Sequence, residues 1–454
     1  MTVAGRTLAG RGVRTARQTG GLAEQLRRYL DVYILVASLF ATFFLDLRGT
    51  AEIAQLGSTA IWADDLVTLA LGPLVLFILG TRVRLPLVIT IFTLIYAVAM
   101  LRGAFSDPLR TFLGFRFDTV FFGLLLCVLT GGIERVGYGR VTQIFTGFAL
   151  ATCALSLLRN VFGFELFAAV EWTTIPGVLY NDGRTLNAFS VLLLSIAIVL
   201  RMCRRIETGP PGEHRFRLDA LTILFLAAIL LSGQRTASIG LMIALGFMLC
   251  NRYRGVTYLG IVAIILGFLA LAITNTPINA QLIEGTAAQY GKGGTFTYRT
   301  LIWSGFLQNL ADWSTFDYLF GLPLGDRPKY YLFTATHVRL WGGSIHSAYL
   351  GTIVNTGFVG LALLMGISLW RLITAYAGYV TYASRGFRFS PELRLCLAML
   401  IIVIGFSYEW RGLCGFVVGV LVALPTRKES VAARRPAIPP RSDVTAAPGL
   451  ARSA

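Results

Sequence analysis

A chain of 454 residues that is 55% hydrophobic and 14% charged, with a mean hydropathy of +0.68, is not composed like a soluble globular protein. The formal net charge of +17 would suit a nucleic-acid binder, but the basic residues are placed by the apolar blocks between them. The excess is therefore read as membrane topology, with some attraction to anionic inner-leaflet lipid, and no nucleic acid is expected as a partner.

In chain order, residues 1–29 are rich in Arg and Gly and carry no cleavage-site pattern, so they read as a cytoplasmic tail and not as a signal peptide. Twelve apolar blocks follow, with cores at 30–45, 66–80, 85–101, 117–130, 141–158, 188–200, 218–231, 237–250, 259–273, 348–369, 393–406 and 412–424. A helix crosses a bilayer in about 20 residues, so the shorter cores are expected to extend into flanking polar residues. The expected architecture is an all-α polytopic membrane protein. Helices 1–9 occupy 30–273, a large outer loop 274–343, helices 10–12 344–424, and a disordered Pro-, Ala- and Arg-rich cytoplasmic tail 425–454.

Charge tests that count. With both termini cytoplasmic and the blocks alternating, most of the 40 Lys/Arg fall inside and most of the 23 Asp/Glu outside. One helix more or fewer before residue 201 would put the basic loops Arg201–Arg217 and Arg371–Arg394 on the wrong side. The cysteines Cys127, Cys153, Cys203, Cys250, Cys396 and Cys414 lie in or beside apolar blocks. Their spacing suggests neither a disulfide framework nor a metal site, so they read as packing residues.

The polar residues of interest lie outside. The segment Thr274–Gly343 is rich in Trp, Phe, Tyr and Leu, unlike a disordered linker. Within it, Thr297–Asp312 reads as an amphipathic helix capped by Thr297, with Ile302, Phe306, Leu307 and Leu310 on one face. Such a helix would lie on the membrane surface or cap a cavity in the bundle. Arg184 in NDGRTLN, Arg235 in SGQRTAS, Arg299 in TYRTLIW and His346 in GSIHSAY are the outer groups with chemistry to offer. Taken singly, Arg235 reads as a snorkelling residue and His346 as an interfacial ring bonded to a backbone carbonyl.

Together they read differently. Guanidinium forks bind phosphoryl oxygens bidentately and keep their charge, and His can take a proton near neutral pH. That set suits group transfer from a lipid diphosphate, which carries its own activation. The cytoplasmic loops hold no Walker-type or dinucleotide fingerprint.

At these residues the chain resembles the O-antigen ligase and polymerase superfamily of bacterial envelope glycosyltransferases. The ligase pattern is a His followed by Asn, Ser or Gln, nine residues, Gly, two residues, then Gly, Thr or Tyr. His346-Ser347, Gly357 and Gly360 fit it completely. A second pattern, Arg, three residues and Leu at a short outer turn, is met by Arg235 with Ile239 in place of Leu. A third, an Arg shortly before Ile-Trp in the large outer loop, is met by Arg299 with Ile302-Trp303. The likeness covers roughly residues 180–365, and the N-terminal helices match in hydropathy alone.

The resemblance implies a GT-C-like, inverting enzyme in the bacterial cytoplasmic membrane that needs no metal or other cofactor. It would move a glycan from undecaprenyl diphosphate to an acceptor hydroxyl on the outer face. Arg235 and Arg299 would hold the leaving diphosphate, with Arg184, Tyr298 and Trp303 beside them on donor binding. His346 would orient or deprotonate the acceptor, or bind phosphate as imidazolium.

Four other sites are weaker. Some polyprenyl-phosphate-dependent glycosyltransferases use an acid in an early outer loop, yet Asp64-Asp65 also suits a helix start. Glu409 and Arg411 read as an ion pair or as cavity lining, His337 as a structural residue ahead of a further site candidate, and His214 as cytoplasmic. A polymerase joining lipid-linked repeat units would use the same diphosphate site. A transporter or flippase would need internal repeats and mid-helix ionisable residues, and the apolar cores are almost free of charge.

Overall fold

A computed structural model of the protein describes residues 7–44, 52–56, 59–80, 85–162, 186, 188–208, 219–232, 234–252, 295–326, 328–333, 338–341, 345–380, 389–406 and 410–423. The ninth apolar block, 259–273, and the C-terminal tail, 425–454, lie outside the described residues. The other blocks carry helices. These are α1 (Thr7–Phe44), α2 (Ala63–Gly80), α3 (Leu87–Ser106), α4 (Pro108–Leu129), α6 (Tyr138–Phe162), α7 (Ala188–Thr208), α8 (Ala220–Leu231), α9 (Arg235–Arg252), α12 (Ala348–Val380), α13 (Pro391–Gly405) and α14 (Cys414–Val422). Shorter helices α5 (Gly132–Val136), α10 (Thr295–Asn309) and α11 (Thr315–Phe320) lie between them. Helices containing Leu87–Ser106, Tyr138–Leu158 and Ala348–Arg371 are long and apolar enough to cross a membrane, by length and composition.

Helices dominate the described residues, as the all-α expectation requires. Two antiparallel hairpins occur between helices, β1 (Glu52–Leu56) with β2 (Thr59–Trp62) and β3 (Tyr330–Phe333) with β4 (Val338–Trp341). The second is rich in aromatic and apolar residues that favour a pleated, half-buried surface.

Blocks four and five do extend into polar flanks, as α4 and α6. Blocks seven and twelve do not. Asp219 caps α8 by accepting from the Thr222 amide at 2.9 Å, and the chain turns again at Ser232. The start of α14 follows Gly412, at φ 54°, and its last carbonyls are closed by Arg394. That guanidinium is fully buried and donates to Leu421 O at 3.0 Å and Ala423 O at 3.1 Å, where a helix C-terminus favours a cation.

Close backbone approach sets two helix pairs. On α14, Gly415 and Gly419 lie one turn apart and face α4. A Cβ at Gly415 would fall 2.0 Å from Phe121 O, and one at Gly419 2.8 Å from Val128 Cβ. Between α9 and α13 the register is antiparallel: Gly240 faces Leu400, and the Cys396 thiol donates to Ala244 O at 3.5 Å. Cys127, Cys153, Cys203, Cys396 and Cys414 are all buried in this helical core.

A ledge formed by residues 313–325 is fastened across the α3–α4 hairpin. The Leu324 amide donates to Ala99 O at 2.8 Å, and the Thr111 hydroxyl to Leu324 O at 3.0 Å. Arg102 donates to Gly321 O at 2.8 Å and to Asp317 Oδ1 at 2.6 Å, with its guanidinium 4.8 Å from the Phe316 ring centre. Partial burial raises the pKa of Asp317, but hydrogen bonds from Ser314 and Arg102, with the Arg102 charge, outweigh it. Its carboxyl is held below the usual carboxylate range.

The clamp's contribution is therefore fully present above the unfolded carboxylate pKa of about 4 and is lost as pH falls through the lower folded value. Asp317→Asn is expected to loosen the ledge by about 1 kcal/mol at neutral pH. Amide exchange over 313–325 would speed up, and acid would bring wild type towards the variant. An unchanged exchange rate would remove Asp317 from the clamp.

The same ledge breaks α12. Gly357 has φ 67° and ψ −173° inside the helix, and a Cβ there would lie 2.1 Å from Leu319 O. The interruption frees helix carbonyls, and Val354 O accepts from the Leu322 amide at 2.7 Å. Gly357 is a packing position, and the backbone it packs against bends the helix. A Cβ at Gly360 would instead meet the Thr356 side chain of its own helix, at 2.1 Å.

Candidate active site

His346 sits in the bend before α12 with φ 53°, the one non-glycine at positive φ among the described residues. A left-handed conformation costs about 1–2 kcal/mol for an ordinary residue, so the surrounding contacts must impose it. They do so from both sides. Ile345 is buried and its carbonyl accepts from the Trp303 indole at 3.0 Å. Ser347 is buried, and its hydroxyl and carbonyl accept from the amides of Leu350 (3.5 Å) and Gly351 (2.8 Å). The Ser after the His is thus the N-cap of α12. The half-buried His346 stands just ahead of the helix's positive end.

Trp303 brings α10 to that bend. Residues four apart on a helix share a face, so Arg299 lies one turn from the indole that grips Ile345. Arg299 is half-buried, and Ile302, Phe306 and Leu310 fill a small core with Tyr330, Ile345, Ile353 and Val354. The Phe306 ring meets Trp313 edge-on at 5.8 Å.

Two expectations for this helix are corrected. It starts at Thr295, so Thr297 lies inside it and is not its cap. Leu307 is 56% exposed, because the buried stripe repeats at i and i+4, and position 307 falls about 100° off it. The helix packs over the start of α12 and its bend.

Arg235 reaches the same end of the bundle by another route. It opens α9, whose register against α13 sets Gly240 opposite Leu400, so the Arg235 end lies level with the Gly405 end. Tyr349, three residues past His346, donates its hydroxyl to Ile402 O at 2.9 Å on that same end of α13. Gln234 is buried, and its side-chain amide donates to Leu186 O at 3.0 Å. That bond joins the Arg235 turn to the segment following Arg184, a residue outside the described ones. Ile239, the departure from the ligase-like pattern, is 52% exposed and faces away from the bundle.

The residues ahead of α14 complete the cluster. The Trp410 ring packs 5.1 Å from Tyr349, so the turn carrying Arg411 adjoins the start of α12. Arg411 pairs with Asp118, at 3.7 Å. Glu409 and His337 lie outside the described residues.

Asp118 corrects a second expectation, that the apolar cores hold almost no charge. It is buried midway along α4 because that helix starts well before its apolar block, at Pro108. The sequence signal was available: an acid inside an apolar block marks a functional candidate by default. Asp64 and Asp65 fall in the first turn of α2, as a helix-start role requires, with Asp65 buried and its carbonyl accepting from Thr68. Tyr298 lies on α10 next to Arg299.

The arrangement offers a half-buried guanidinium and an imidazole held on facing segments, with Arg235 and Arg411 on the same end of the bundle. No family model matches this chain, and a search of curated proteins finds no match.

Proposed function

We propose that the protein is an integral membrane glycosyltransferase of the O-antigen ligase type, acting on the outer face of the bacterial cytoplasmic membrane. The observation that carries this reading is the hydrogen bond from Trp303 to the carbonyl before His346. It ties the Arg299 helix to the His346 bend across the outer loop, uniting two motifs read separately. The twelve-span topology is part of the proposal. It is supported by the long-range polar contacts, which join segments assigned to the same side. Asp31 with Arg135, Asp219 with Arg201 and Arg205, and Arg394 with Ala423 are inside; Arg102 with Asp317, Gln234 with Leu186, and Arg411 with Asp118 are outside.

In the proposed reaction the acceptor hydroxyl attacks the anomeric carbon of an undecaprenyl-diphosphate-linked glycan. A new C–O bond forms, the bond to the diphosphate breaks with inversion, and the hydroxyl proton passes to His346. Arg299 and Arg235, with Arg184, carry the charge that develops on the leaving diphosphate. Tyr298 and Trp303 frame the donor.

Membranes containing the protein, a lipid-linked glycan and a second acceptor are expected to yield glycosylated acceptor and free undecaprenyl diphosphate. A lengthening lipid-linked ladder with no transfer to the second acceptor would instead identify a polymerase. Arg299→Gln should lower turnover about 10²-fold; a variant as fast as wild type would overturn its assigned role.

A further inference from the structure

Three helices near the His346 bend leave a cleft between them. Met365 and Leu369 of α12, Ala398 and Ile402 of α13, and Val418 and Leu421 of α14 line it. Residues three or four apart share a helix face, so each helix turns a single stripe to the cleft. Among the described lining residues, only Ser368 and Trp410 bring a side-chain hydroxyl or N–H to the wall. Ala398, Val418 and Leu421 are buried and form the floor, while Leu369 is 54% exposed, so the cleft opens along α12.

Trp410 stands at one end. Its indole donates to Ile401 O at 3.4 Å, and its ring packs on Tyr349, three residues past His346. Gly405 permits this approach, since a Cβ there would lie 3.0 Å from Trp410 Nε1 and 3.2 Å from the Tyr349 ring. The other end reaches Leu421, whose carbonyl accepts from the buried Arg394. The cleft therefore runs lengthwise, from the His346 end of the bundle into its apolar interior. Helical interiors are close-packed and apolar spaces stay dry, so what fills this one is hydrocarbon.

We propose that the cleft seats the polyprenyl chain of the lipid-linked donor, whose diphosphate end lies at the His346 cluster. This rests on the transferase reading above. A chain bonded to the diphosphate must leave the site by an apolar path, and the cleft begins one aromatic ring away, at Trp410 beside Tyr349. Lipid tails are themselves apolar, so the chain gains little by exchanging them for protein walls. What the cleft adds is fit and direction. A prenyl chain has regularly spaced double bonds and loses less freedom on being held than an acyl chain does. Holding it fixes the anomeric carbon relative to His346, and transfer depends on that placement.

The test is photolabelling of the purified full chain in phosphatidylglycerol bilayers, with melting temperature as the fold control. One label is undecaprenyl diphosphate with a diazirine on the chain beside the diphosphate. The other is phosphatidylglycerol with a diazirine on an acyl chain, at the same mole fraction. The polyprenyl label is expected on 365–369 and 398–402, displaced by excess undecaprenyl diphosphate, with little acyl label there. Ser368→Phe, which fills the cleft from its rim, should cut polyprenyl labelling about tenfold.

Acyl labelling of the cleft as strong as polyprenyl labelling would make it a general lipid groove and overturn the proposal. So would polyprenyl label spread equally over the exposed face of α3 at Leu94 and Leu101, or wild-type labelling in folded Ser368→Phe. Should that variant fail to fold, the two wild-type patterns still decide. Displaceable label around His346 and Trp303 but absent from the cleft would leave the transferase reading standing and remove this inference. With no displaceable label anywhere on the chain, both fall.

Discussion

Replacing His346 with Ala is expected to lower glycan transfer by about 10²–10⁴-fold, the range for losing a general base. The substitution also changes the backbone, because residue 346 has φ 53° and Ala resists that conformation. His346→Asn is the matching control. Asn tolerates the left-handed region, so it keeps the bend before Ser347 while removing the imidazole. Both variants should lose transfer while retaining the wild-type melting temperature to within a few degrees. Transfer at the wild-type rate in His346→Asn would show that the position serves the backbone alone, and the catalytic role would be abandoned. The pH profile adds a second readout: a fall in transfer on the acid side, where the base at 346 is protonated, present in wild type and absent from the residual activity of both variants.

The second large effect is structural. Gly357→Ala should destabilise the protein by about 3 kcal/mol or more, from two additive sources. At φ 67° and ψ −173° the backbone is in a region that glycine alone occupies readily, and an added Cβ would lie 2.1 Å from Leu319 O. The neighbour is backbone of α11, anchored through Arg102 and Leu324 to α3, and cannot swing aside as a side chain would. Relief must come by displacing the ledge or straightening α12. Either loosens the core that holds Trp303 against Ile345, so transfer should fall along with the melting temperature. Gly360→Ala makes the comparison, since its nearest obstruction is the side chain of Thr356 and it has no positive φ. A melting temperature in Gly357→Ala equal to wild type would contradict the kink as described.

Much of the candidate site was legible because its chemistry is written in short spacings. His346 and Ser347 are adjacent, and the structure gives that adjacency a reason: the Ser caps α12 and the His occupies the bend ahead of it. Arg299 and Trp303 are four apart, which on a helix means one face. Arg235 opens a helix after a short turn, where hydropathy alone placed it. The Asp118–Arg411 pair was not legible as a pair. Its partners are far apart in the chain, and no local pattern predicts which carboxylate a distant guanidinium will meet. The Thr297 cap failed because capping preference is a local bias, and the helix continued through it to Thr295.

What the sequence determined by itself follows from quantities that add along the chain. Apolar run length specifies helices suited to a bilayer, and the sign of each loop is the basis of the proposed alternation, because bilayer insertion responds to those sums. What only the tertiary structure decided depends on close approach between remote segments. The ledge over α3 and α4 breaks α12 at Gly357, the indole of Trp303 fixes the His346 bend, and the turn after α13 carries Arg411 to Asp118. Each of these is an excluded-volume or hydrogen-bond condition between groups that share no sequence window, so no periodicity records it.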